Sequence, residues 1–523
     1  MGNQSNSEIQ PRGKNLFLQS IKNIGLWFGL TTILILMTGG LSPLYTGTQR
    51  YHYIFGQAAA GFGELASDWF ATTQNPWILF QYIVQFTAEY LGNPFFYVYQ
   101  FIMMFIYLFS LVGIVDHFFK IRRDWRVFFI FMSFYLSSYA FYWPDWIGHH
   151  IYAGVATMYM PMDVFIPNSF AALLFLSIYL FFKEKYPASI LSILVACYVH
   201  PSYLIVGAAL VTGYMLAMFL DGKKFKQIVL FGGVTFLLVI PLVAYYYSIN
   251  LKATPEQVKE ATNIMAGIVL PHHTHVEVWW TKYDFIKLLI VMGALFVTRK
   301  TRLFYIILVG FVFVAVPSIV LAIRPSNTIG ALMLWRPAVV VVPLATTSLI
   351  AFWVSRGYTD NQADITKYWK WAMAGLTALV LFTMVEGTEF QIEKIDRIQK
   401  RRSLPVTLYI KENLQPGDQY LLPIDSLMAS SFELDTGAPV VVIWLQHPWG
   451  ALDTLEWNHR VQVVSEFYAA ENGERCELLP GLVDTYGVTH VITHRTDGLN
   501  CEGWNLVYKD ETQRIYAQVD EQP

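Results

Sequence analysis

The sequence predicts a polytopic α-helical membrane protein carrying a C-terminal α/β domain outside the cytoplasm. Three observations predict it. Apolar runs alternate with short polar connections as far as residue 386 and then stop. Only 14% of the 523 residues are charged, against roughly 25% in soluble domains. Basic residues also gather on every second connection. A helix must cross about 30 Å of hydrocarbon, so apolar runs near 18 residues read as spans, and a lipid-facing surface cannot carry the missing charge.

Window hydropathy gives about eleven spans. They centre on Ile24–Leu41, Tyr97–Val115, Val127–Trp143, Asn168–Phe182, Ala188–Val199, Tyr203–Leu220, Ile228–Tyr247, Phe285–Val297, Leu303–Ile323, Ala338–Val354 and Trp371–Val385. Residues 1–23 are polar and the following run is long, which predicts an uncleaved first helix rather than a signal peptide. Trp77–Leu91 is interrupted by Gln81, Gln85 and Glu89, so it is expected to lie in the interface or re-enter. Ala188–Val199 is short and ends at His200-Pro201, and proline disfavours helix at the residue before it. That turn is expected below the outer surface, with His200 on the floor of an outward-facing cavity, since irregular backbone at membrane depth must be enclosed.

Charge sets the orientation. Arg12, Lys14 and Lys22 precede the first span, and Lys120, Arg122, Arg123 and Arg126 follow the second. Lys183 and Lys185, then Lys223, Lys224 and Lys226, then Arg299, Lys300 and Arg302, and finally Arg356, Lys367 and Lys370 follow the even spans in turn. All fall on one side, which the positive-inside rule makes cytoplasmic. The expected membrane domain is therefore 1–386, with outer loops 42–95, 144–167, 248–284 and 324–337, then a linker over 387–403 and an extracytoplasmic domain over 404–523. The expected location is a cytoplasmic membrane. A net charge of −2 argues against a nucleic-acid partner.

In the tail, Pro405–Leu414 and Val461–Ala470 read as helices. Tyr420–Pro423, Val440–Trp444, His490–Thr493, Leu506–Tyr508 and Ile515–Val519 read as strands of a mixed, largely parallel sheet. Of the three cysteines, Cys197 sits in an apolar run. Cys476 and Cys501 either pair in an oxidising compartment or remain free thiols.

The candidate chemistry lies on the outer loops. Asp68 is a candidate general base or cation ligand at a cavity mouth, or else a loop acid or helix N-cap. Arg50 shares its loop. Asp145, His149 and His150 lie close enough for acid–base work, or else belong to an interfacial aromatic belt with Trp143, Trp146, Tyr152 and Tyr159. His272, His273, His275 and Glu277 are metal ligands by type, but their spacing matches no metal site. Arg324 and Arg336, each before a proline, flank one outer loop, where the guanidinium fork suits phosphate or pyrophosphate and snorkelling to headgroups is the alternative.

Two stretches carry a family resemblance. YHYIFGQAAAGFGELASDWFATTQNPWILF resembles a first-loop signature of uncharacterised bacterial GT-C superfamily members, the polyprenyl-phosphate-sugar-dependent integral-membrane glycosyltransferases. TGAPVVVIW, GVTHVIT and RIYAQ resemble their C-terminal domain. The resemblance implies a GT-C-like fold and transfer of a hexose or pentose from a polyprenyl-phosphate carrier to an unspecified acceptor on the outer face, with membrane lipid as a partner. In that reading Asp68 deprotonates the acceptor or holds a divalent cation, Arg324 and Arg336 hold the carrier phosphate, and His200 and His150 line the cavity. One departure stands out: Ser42–Gln49, directly after the first span, holds no acid, where many members place one. A polysaccharide polymerase, a flippase or transporter, and a non-catalytic envelope assembly protein are the competing readings.

Overall fold

The computed structural model describes residues 12–140, 147–156, 159–160, 163–424 and 431–519. Each predicted apolar run coincides with a helix. They are α1 (Arg12–Thr38), α3 (Phe95–Phe119), α4 (Trp125–Tyr139), α5 (Ala171–Phe182), α6 (Tyr186–Val199), α7 (Tyr203–Leu220), α8 (Phe225–Ile249), α10 (Lys282–Thr298), α11 (Arg302–Ile323), α12 (Ala338–Asp360) and α13 (Trp369–Arg402). Between them lie α2 (Ile78–Phe86) and α9 (Pro255–Ile264). Among the described residues, α3, α7, α8, α11, α12 and α13 are long and apolar enough to cross a membrane. Helix α12 is the buried centre, with Leu344 and Ala345 fully enclosed. Helices α8, α11 and α13 turn apolar side chains outward, as Phe236 (69% exposed), Ile319 (58%) and Phe382 (63%) show. Such a surface is stable in lipid and unfavourable in water.

The connections converge at two ends. At one end Lys223 pairs with Glu184 at 3.2 Å, Arg302 with Asp221 at 2.6 Å, and the Tyr358 hydroxyl donates to Asp124 at 2.7 Å. These contacts join the loops carrying the basic clusters. At the other end the Ser42 hydroxyl donates to Asp163 at 3.1 Å, Asn327 to Asn263 at 2.9 Å, and the Ala451 amide to Asn250 at 2.8 Å. These join the long loops to each other and to the C-terminal domain.

Helix α2 buries Phe80 and Val84 and exposes Tyr82 (60%) and Phe86 (53%). It is amphipathic rather than spanning, as its glutamines require. Helix α6 ends at Val199, and His200 is enclosed at 6% exposure in the turn that follows. Residues 387–403, expected as a linker, are helical nearly throughout, because α13 runs on to Arg402. There Arg402 donates to Asp435 at 2.9 Å and so ties the helix to the C-terminal domain.

That domain holds β1 (Tyr420–Leu421), β2 (His490–His494), β3 (Trp504–Lys509) and β4 (Gln513–Gln518) in the order β1-β2-β4-β3. Helices α14 (Pro405–Asn413), α15 (Ala451–Ala469) and α16 (Asn472–Tyr486) pack with the sheet. Only β1 and β2 run parallel, so the expected largely parallel sheet is corrected to a mainly antiparallel one. The reason is the short Asp510–Thr512 connection, which permits a hairpin and leaves no room for a crossover. Val440–Trp444 is not a strand. It contributes a single bridge, Val440 to Tyr420, and the Val440 amide bonds a side chain instead of a ladder. Cys476 and Cys501 form a disulfide that joins α16 to the β2–β3 connection.

Candidate active site

A cavity of about 430 Å³ lies at the long-loop end, walled by the apolar helices, the long loops and the C-terminal domain. Helix α13 contributes Phe390 and Lys394, and the α11–α12 connection contributes Met333 and Arg336. His200 reaches it from the α6–α7 turn. The first loop supplies Tyr51, His52 and Trp77; the second supplies His149, Tyr159 and Asp163; the third supplies His273. The C-terminal domain closes it with His447 and Trp449.

Arg336 is the dominant charge. A turn bonded from the Arg336 amide to the Met333 carbonyl at 3.0 Å carries it inward, just before α12 begins. Its side chain is 7% exposed. One terminal nitrogen donates to the Ser202 hydroxyl, the other lies 3.0 Å from the Met333 sulfur, and Nε has no partner. Among the described residues no carboxylate forms an ion pair with it. Burial pushes its pKa down to about 10, so it stays cationic at neutral pH. Ser202 also meets His200 Nδ1 at 2.8 Å, which fixes that ring beside the guanidinium.

The second charged group is the Asp163–Lys394 ion pair. Asp163 also accepts from the Ser42 hydroxyl at 3.1 Å, and its backbone carbonyl accepts from the Ser42 amide at the same distance. The end of the first span therefore meets an acid after all, supplied by the second loop. His52, His273 and His447 are each pushed down to about 3, first by burial and then by neighbouring positive or imidazole groups. They are neutral at physiological pH, and each offers one donor and one acceptor.

The expected site residues divide. Arg336, His200 and His149 line the cavity, with His149 against Tyr159 at a ring distance of 4.4 Å. His150 does not. It stacks on Tyr283 at 3.7 Å and 4°. Arg324 is exposed at the C-terminal end of α11, outside the cavity wall, because the helix ends there before the chain turns inward. Arg50 is half-buried, donates to the Gly47 carbonyl at 2.8 Å and also lies outside the wall. Asp145 falls outside the described residues.

Asp68, expected as the catalytic carboxylate, is not among the residues that line the cavity. It is fully buried, but between the first loop and the C-terminal domain. It caps Trp69–Thr72 by accepting from the Ala71 amide at 3.2 Å, and it accepts from the Val440 amide at 3.0 Å. Burial raises its pKa, opposed by those amide bonds. Glu433 lies beside it, buried, with its pKa driven well up by burial and by Asp68. An acid whose oxygens are already engaged by amides and a carboxyl does not suit a cation site. Among the described residues no three His, Cys, Asp or Glu side chains gather to hold a metal ion.

The residues missed by sequence reasoning were Asp163, Lys394, His52, His447 and Trp449. Lys394 had a signal in QIEKIDRIQKRR, which continues the last span as a charged helix.

A family model described as "Domain of unknown function (DUF6798)" matches residues 401–464, a stretch that includes His447 and Trp449. No curated protein matches the chain. Among solved structures, ArnT from Cupriavidus metallidurans, crystallised bound to undecaprenyl phosphate, superposes with a TM-score of 0.50 at 11% identity. The match covers 96% of this chain and 99% of that one. The chain shares the overall fold of that structure. It is a polytopic helical membrane fold with a small C-terminal sheet domain, and the likeness at this identity concerns architecture.

Proposed function

We propose that this protein is a membrane glycosyltransferase that moves a sugar from a polyprenyl-phosphate carrier to an acceptor at the outer face of a bacterial cytoplasmic membrane. The observation that carries the reading is Arg336, a buried guanidinium on a cavity wall with no carboxylate partner among the described residues. A buried unpaired charge is costly unless an anion accompanies it. A lipid-linked phosphate supplies that anion, and the guanidinium fork suits its oxygens. The fold shared with ArnT, which was crystallised with undecaprenyl phosphate, supports the carrier class. The one-sided basic clusters and the Cys476–Cys501 disulfide support an oxidising, extracytoplasmic location for the cavity.

Asp163 takes the role of general base. The acceptor hydroxyl oxygen bonds to the anomeric carbon as the bond from that carbon to the phosphate oxygen breaks. The hydroxyl proton passes to Asp163, and the carrier phosphate leaves with its charge held by Arg336. Lys394 orients Asp163 for this step.

Binding of undecaprenyl phosphate to the detergent-purified protein tests the reading. Arg336→Ala should weaken binding about tenfold or more, since a charge-assisted bond is worth roughly 1.5–3 kcal/mol. Arg336→Lys should recover only part, because the fork is lost. Arg324→Ala should match the parent. Parent-like binding by Arg336→Ala would remove the main support for a glycosyltransferase.

A further inference from the structure

We propose that the C-terminal domain completes the sugar subsite of this cavity through His447 and Trp449, and that the sugar taken there is uncharged. The inference rests on the glycosyltransferase reading and adds the substrate class. Three observations on different residues carry it.

The first is an aromatic corner built by two distant parts of the chain. Trp449 meets Trp77 at a ring distance of 5.9 Å and an interplanar angle of 88°. His447 stacks on Tyr51 at 5.0 Å and 25°, and the Tyr51 hydroxyl donates to the His447 carbonyl at 2.7 Å. Trp77 is 4% exposed, whereas Trp449 keeps 36% of its surface free while lining the cavity. An indole face left open there is an apolar platform with a polar edge, which suits the C–H face of a sugar ring.

The second is the neutral polar lining. His52 and His447 line the same corner, and among the described residues none bonds the buried Nδ1 of either ring or the Trp77 Nε1. Unmade bonds of this kind cost stability, and no protein hydrogen bond fixes either imidazole. Neutral imidazoles pair with hydroxyls in both directions, as donor and as acceptor.

The third is the charge inventory. Among the described residues Asp163 is the only carboxylate in the cavity wall, and Lys394 and Ser42 already occupy it. An ammonium-bearing sugar would meet Arg336 and Lys394 with no free acid to receive it. A carboxylate-bearing sugar would compete with the carrier phosphate for Arg336. An uncharged hexose or pentose meets neither conflict.

The test uses the full-length protein in detergent and three probes: undecaprenyl phosphate, undecaprenyl-phosphoglucose and undecaprenyl-phosphoglucosamine. The glucose-bearing carrier should bind about tenfold tighter than the bare carrier, a gain of about 1.4 kcal/mol, and the glucosamine-bearing carrier should not. His447→Ala and Trp449→Ala should lose the glucose preference while binding the bare carrier as the parent does. Equal or tighter binding of the amino sugar overturns the inference, as does a glucose preference that survives both alanine variants. Should an alanine variant lose the bare carrier too, Trp449→Phe decides: a retained preference supports the subsite, and its loss overturns it. If the parent binds none of the three, the carrier reading itself falls and the subsite with it.

Discussion

Two buried charge clusters lie at the long-loop end of this protein, and they are mismatched in opposite senses. Where the C-terminal domain docks on the first loop, Asp68 and Glu433 are acids, and among the described residues neither forms an ion pair with a cation. In the cavity, Arg336 has no acid, and Asp163 serves Lys394. The first mismatch is resolved within the protein. Amides of Ala71 and Val440 satisfy Asp68, Gln446 donates to Glu433, and burial beside Asp68 raises the pKa of Glu433, which favours its neutral form. Among the described residues the second has no such resolution, because arginine does not give up its proton at physiological pH. A closed interface can settle its charge by protonation, whereas an open cavity lined by a fixed cation leaves room for an anionic ligand. On the proposed reading, that difference separates a structural acid from a catalytic one.

Exchanging the acids would break the comparison most sharply. Asp163→Asn should lower turnover by about 10²–10⁴-fold, the usual worth of a general base, while leaving carrier affinity intact. Asp68→Asn should lower the yield of folded protein but leave turnover per folded molecule unchanged. A steady-state assay normalised to folded protein reads both. The reverse pattern would restore Asp68 as the base.

The docking interface can be opened directly. Gly63 has φ +55°, and a Cβ there would lie 2.4 Å from the Gly437 carbonyl oxygen. The Glu64 amide donates to that same oxygen at 2.8 Å. Gly63→Ala should therefore destabilise docking by about 1–3 kcal/mol, seen as a lower Tm and faster proteolysis around the domain. Because His447 and Trp449 belong to the cavity wall, carrier-sugar binding should weaken with it. An unchanged Tm would show that the domain is not held where the structure places it.

The smallest effect concerns pH. The raised folded-state pKa of Glu433 means that the folded state holds a proton the unfolded chain releases above the ordinary glutamate range. Its contribution to stability is complete below about pH 4.5 and is lost as pH rises toward the folded value. Thermal unfolding from about pH 5 to about pH 9 should show that decline, and Glu433→Gln, which cannot ionise, should flatten it. A Glu433→Gln curve parallel to the parent's would assign the slope to other groups.

Much of the frame was legible in the sequence, because crossing a bilayer forces a long apolar helix and hydropathy reads that constraint directly. The His200-Pro201 turn and Arg336 were legible for the same reason: proline and a stray outer arginine are conspicuous against apolar surroundings. The cavity as a whole was not. Its wall draws on Thr38 at one extreme and Trp449 at the other, and no local pattern announces such convergence. Asp163 reads as an ordinary loop acid until Ser42 and Lys394 are seen beside it. The setting of Asp68 was hidden in a different way. Its N-cap role was readable from the residues after it, but its burial against Val440 depends on a contact 372 residues distant in sequence.

If Arg336 holds the carrier phosphate, a structure of the protein determined with undecaprenyl phosphate should show it there. Phosphate oxygens are expected within about 3 Å of the Arg336 guanidinium, inside the cavity that Asp163 also lines. Phosphate bound at Arg324 or elsewhere on the surface, with the Arg336 guanidinium still bonded only to Ser202, would contradict it.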